Sequence, residues 1–79
     1  MGENAIEPTA KQKQIRRVLE YMKAHGSISQ RQADDISVKR LASRIHDMKR
    51  MGYQIGSKMV NGVNKYGEKD RYAVYWLEG

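Results

Sequence analysis

The chain has 79 residues, enough for one small domain, and carries a formal net charge of +6. It contains no cysteine, so neither a disulfide nor a thiolate metal site can brace a core that buries only roughly 60% of the unfolded surface. No apolar run approaches the roughly 20 residues of a membrane span. The start, Met1 to Ile6, lacks the basic and apolar regions of a secretion signal and the Ser or Thr of a myristoylation motif. A soluble cytoplasmic protein is the expectation.

Residues 1–8 show no periodicity and end in the only proline, Pro8, and they read as a flexible tail before a domain spanning residues 9–79. Thr9 is placed to cap a first helix over about residues 10–25. Ile15, Val18, Leu19 and Met22 give that helix a core-facing stripe, and Gly26 supplies the left-handed residue that ends it. Ile28 is read as a hydrophobic staple or as a very short strand. Ser29 and Gln32 match a capping box for a brief second helix from about Gln30, with Ala33 and Ile36 inward and Asp34 and Asp35 in water.

Ile36, Ser37 and Val38 form the expected turn, in which Ser37 caps a third helix and Val38 buries its side chain. That helix runs to about Met51, with Leu41, Ala42, Ile45 and Met48 on its inner face, and Gly52 closes it. Beyond Gly52 the period changes. Tyr53 to Val63 is compatible with a strand, residues 64–70 form a polar loop, and Arg71 to Leu77 is a strand by its aromatic and β-branched content. The expected class is α+β: a winged helix-turn-helix with three helices, a two-stranded hairpin wing and a short additional strand near Ile28 as an option.

From Lys11 to Leu77 the chain resembles a family of small helix-turn-helix proteins of bacteriophages and prophages. The residues that carry the resemblance are Ile28, Ser29, Gln30 and Ala33; the run Val38 to Ile45; Asp47, Gly52, Tyr53 and Ile55; and Arg71 to Tyr75 with Leu77. The block from Arg40 to Ile45 is the most specific part. The resemblance implies a winged helix-turn-helix fold and a DNA-binding role.

Residues 39–50 hold five cations, Lys39, Arg40, Arg44, Lys49 and Arg50, against one acid, Asp47. This is the pattern of a second motif helix that meets a polyanion, so double-stranded DNA is the expected partner. Arg40, Ser43 and Asp47 are expected in one outward row near the helix start, with Arg40 as a reader of guanine. Lys39 and Arg50 suit phosphates. Arg44 lies at the edge of the apolar stripe, where its head is expected to pair with Asp47 or Asp34 rather than reach a base. Ser29, Gln30 and Arg31 open the helix that crosses the DNA backbone, and Ser37 lies in the turn. In the wing, Lys58, Lys65 and Lys69 are expected on the backbone or in the minor groove.

Tyr72, Val74 and Trp76 fall on one face of the last strand, and Ala73, Tyr75 and Leu77 on the other. If the first set is exposed, it is a dimer or partner contact, unless the tail or the neighbouring strand covers it. A lone domain with a few phosphate contacts would bind one site weakly, so repression would call for a homodimer or tandem sites. The alternative partner is a host protein complex inhibited by a phage-encoded protein through its basic or aromatic surface. His25 and His46 sit on different helices with no cysteine to activate and no ligand spacing for a metal, and there is no phosphate-cradling glycine loop. No enzyme, no metal and no cofactor is expected.

Overall fold

The computed structural model describes residues 9–79; the expected tail, residues 1–8, lies outside them. Helix α1 spans Ala10–His25, strand β1 Ile28–Ser29, helix α2 Gln30–Asp35 and helix α3 Leu41–Arg50; strands β2, Ile55–Val63, and β3, Lys69–Leu77, follow. The short strand suggested for Ile28 is present. It pairs with β3 through Ile28–Tyr75 and Ser29–Val74, which makes a three-stranded antiparallel sheet in the order β1-β3-β2. The two long strands form the wing, in unbroken register from Ile55–Leu77 to Val63–Lys69. This is the α+β arrangement expected of a helix-turn-helix followed by a wing.

The starts of α1 and α2 have local causes. The Thr9 hydroxyl accepts the Gln12 amide at 3.1 Å, and Gln12 Oε1 accepts the Thr9 amide at 2.8 Å, so each satisfies an orphan donor of the other. At α2 the Gln32 side chain accepts the Ser29 N–H at 2.9 Å. The stripe Ile15, Val18 and Met22 of α1 meets Leu41, Ile45 and Met48 of α3, and Ile28, Ala33, Val38 and Ile55 complete the buried core. Tyr75 and Leu77 pack against it from β3, while Leu19 is only partly buried at its margin.

Two expectations around the turn are corrected. Ser37 does not cap α3; it lies at φ 62 in the left-handed region and ends α2. Its N–H donates to Asp34 O at 3.0 Å, and the Val38 N–H donates to Ala33 O at 2.8 Å. These are the two bonds of a Schellman motif, with Val38 and Ala33 supplying its apolar contact. Gly52, at φ 105, ends α3 by the same pair of bonds, Gly52 N–H to Lys49 O and Tyr53 N–H to Met48 O. Because Ser37 belongs to the preceding helix, α3 starts at Leu41, with Arg40 in the N-cap position and no side-chain cap of its own. Ala42 is exposed rather than inward, since it follows Leu41 by roughly 100° around the helix and so leaves the stripe.

Candidate nucleic-acid interface

The start of α3 is held from outside the helix. Gln30 Oε1 accepts the Leu41 N–H at 3.0 Å, while Gln30 Nε2 donates to Val38 O at 3.0 Å and to Asp34 Oδ1 at 2.7 Å. One side chain of α2 thereby satisfies the first amide of α3 and fixes the segment between the two helices. Ser29 is buried, with its hydroxyl 3.4 Å from Gln32 Oε1. Ser29 and Gln30, both expected on the DNA, are committed to internal contacts at the base of the motif.

On α3, Ser43, His46 and Arg50 occupy the side away from the core, flanked by exposed Ala42 and Lys49. The outward row expected of Arg40, Ser43 and Asp47 does not form, for two reasons. Arg40 precedes the helix, and Asp47 turns toward α1. Its carboxylate lies 3.4 Å from Arg44 Nε and 3.7 Å from Lys11 Nζ. The expected pairing of Arg44 with Asp47 is present, and Arg44 is only 17% exposed in its side chain. Lys39 and Arg40 are exposed and line one open hollow with Gln14, Ser37 and Arg44. Gln14, on α1, was not expected there; its position next to the buried Ile15 is the only hint of it in the sequence. His46 was likewise left out of the expected contacts, although it lies roughly 100° beyond the inward Ile45.

Arg31 is exposed in the first turn of α2 and lines a hollow with Val63, Asn64, Lys65 and Tyr66 of the wing tip. The tip is organised by Asn64, whose Oδ1 accepts the Tyr66 N–H at 2.9 Å and the Glu68 N–H at 3.0 Å. Asn64 Nδ2 donates to Glu68 Oε1 at 3.2 Å. Lys58, Lys65 and Lys69 are all exposed. Lys58 points to the sheet face away from the helices and Lys69 to the other face, as the register requires. The wing cations therefore do not form one row.

Tyr72, Val74 and Trp76 share the face with Lys58, and Trp76 is only half-buried. The neighbouring strand supplies its cover. Trp76 lies flat over Gly56, so close that a Cβ there would come within 2.5 Å of Trp76 Cε2, and Tyr72 covers Gly62 in the same way. Among the described residues no group of three or more His, Cys, Asp or Glu could hold a metal, and no helix is long and apolar enough to cross a membrane.

A family model described as a winged helix-turn-helix domain matches residues 13–79. No curated protein and no solved structure gives a match to the chain.

Proposed function

Because the chain belongs to the winged helix-turn-helix domain family, we propose that it binds double-stranded DNA with the outer face of α3 in the major groove and the wing on the backbone or in the minor groove. The observation that carries this reading is the charge on that face. Lys39, Arg40, Lys49 and Arg50 surround Ser43 and His46, while the one carboxylate of the helix, Asp47, is turned away toward Lys11 and Arg44. Ser43 and His46 are the readers of base edges in this proposal. Arg40, placed before the helix beside Lys39, serves a phosphate rather than a guanine, as do Arg50, Arg31, Lys58, Lys65 and Lys69. Ser29, Gln30 and Ser37 hold the motif in shape, and Arg44 and Asp47 fix α3 against α1.

The role is that of a phage or prophage transcription regulator, or of an accessory factor in recombination or excision, acting in the host cytoplasm or nucleoid as a homodimer or on tandem sites. Affinity for duplex DNA measured against salt tests the reading. Log affinity should fall linearly with log salt, at about −0.9 per neutralised phosphate. An affinity indifferent to salt between about 50 and 200 mM would overturn it and favour a host protein partner.

A further inference from the structure

Tyr66 stands at the apex of the wing with 77% of its surface exposed, more than any other large hydrophobic side chain among the described residues. The backbone beneath it is not loose. Its N–H is held by Asn64 Oδ1 at 2.9 Å, the Asn64 N–H donates to Glu68 O at 2.9 Å, and the Gly67 N–H donates to Asn64 O at 3.0 Å. Gly67, at φ 78, takes the left-handed conformation that the turn requires. A single exposed ring is ordinary on a protein surface. Its company is not. The Lys65 ammonium lies 5.6 Å from the ring centroid, and Arg31 of α2 lines the same hollow. The neighbouring acid, Glu68, is engaged by Asn64 Nδ2. An aromatic ring on an ordered turn, with one cation from the wing and another from α2, matches the chemistry of a nucleotide with its flanking phosphates.

We infer that Tyr66 enters the minor groove and packs its ring against the sugar and base edges of one nucleotide, while Arg31 and Lys65 meet the adjacent phosphates. This rests on the DNA-binding reading above and adds to it a contact that is not ionic. The ring takes no part in the hydrogen bonds of the turn, so it can be removed without dismantling the tip.

The test uses the full chain and a labelled random duplex, bare or with its A·T minor grooves filled by netropsin. Tyr66→Ala should weaken binding to bare duplex roughly 3- to 30-fold, from the partial burial of one ring, with an unchanged melting temperature, whereas Tyr66→Phe should bind as the parent does. Netropsin should weaken the parent by a larger factor than it weakens Tyr66→Ala. Arg31→Ala should reduce the salt slope by about one unit. If Tyr66→Ala binds as tightly as a parent whose affinity falls linearly with salt, the minor-groove role is overturned and the DNA-binding reading survives. If the parent binds no duplex at about 50 mM salt, both are overturned.

Discussion

Gln30 Oε1 lies 3.0 Å from the backbone nitrogen of Leu41 and accepts a hydrogen bond from its N–H, so α3 is capped by a residue of α2. The same amide group donates to Val38 O, which sets its orientation and ties the middle of the inter-helix segment and the start of α3 to one side chain. Gln30→Ala leaves a partly buried N–H and carbonyl without partners and should cost roughly 1–3 kcal/mol. Gln30→Glu keeps an acceptor for Leu41 but loses the donor to Val38 O, and it brings a second carboxylate to Asp34. It too should melt below the parent, as urea titration of both variants would measure. A parent-like midpoint for Gln30→Ala would remove the cap from the account of the motif.

Ser37 is the second place where the turn can be probed. A residue with a Cβ in the left-handed region carries a cost of roughly 1–2 kcal/mol, and glycine escapes it at an added unfolded-state entropy of roughly 0.5–1 kcal/mol. The first effect exceeds the second, so Ser37→Gly should raise stability by about 0.5–1 kcal/mol. Ser37→Val, β-branched, should lower it. Thermal melts of the pair give the sign directly.

The two sides of α3 differ in what they tolerate. Leu41 and Ile45 are buried in the one core of the domain, and Leu41→Ala or Ile45→Ala should cost roughly 2–5 kcal/mol, enough to unfold much of a small domain. Ala42→Lys, on the exposed flank, should change the melting temperature by almost nothing. Comparable losses at Ala42 and Leu41 would place the inner face wrongly.

Much of this was legible in the residues. Gly26, the Ser29–Gln32 pair, the stripe of α1 and the aromatic last strand each depend on contacts within a few positions, and periodicity or capping reports such contacts. The turn was not legible, because a serine before a basic helix reads equally as an N-cap of the next helix or as the left-handed end of the last. Only the burial of Val38 against Ala33 decides between them. The orientation of Asp47 was hidden for a related reason. Its pairing with Arg44 at i,i+3 was legible, but its turn toward α1 depends on Lys11, a residue of another helix, which no spacing within α3 encodes.

Trp76 is the sole tryptophan of the chain, and its ring rests on Gly56. Gly56→Ala sets two effects against each other. Alanine in a strand gains roughly 0.5–1 kcal/mol over glycine, but the new methyl group must displace the indole at a cost of roughly 1–3 kcal/mol. The displacement should win. The variant should melt lower and its tryptophan emission should move to the red as the ring enters water. Unchanged emission would mean that the ring does not rest on that glycine.

On α3, Ser43→Ala and His46→Ala should each weaken binding to a selected site by roughly 1–3 kcal/mol while leaving random duplex nearly untouched. Arg40→Ala, Lys65→Ala and Lys69→Ala should weaken both duplexes alike and flatten the salt dependence by about one unit per lost contact. The ratio of selected to random affinity across the five variants is the measurement. A ratio that moves with Arg40 and stays fixed with Ser43 and His46 would return Arg40 to the role of reader.

The strand pairs Ile28–Tyr75 and Ser29–Val74 tie the sheet to the helical half of the chain, joining its second quarter to β3. The wing can form from neighbours in sequence, but the junction requires closing a loop from residue 28 to residue 75, the kind of long-range contact that slows folding. Until it closes, Tyr75 and Leu77 have no core to pack on and the wing has no fixed direction. The shape of the whole interface thus waits on the chain's final strand, and a nascent or truncated copy ending before Val74 would have the recognition helix without the wing aligned to it.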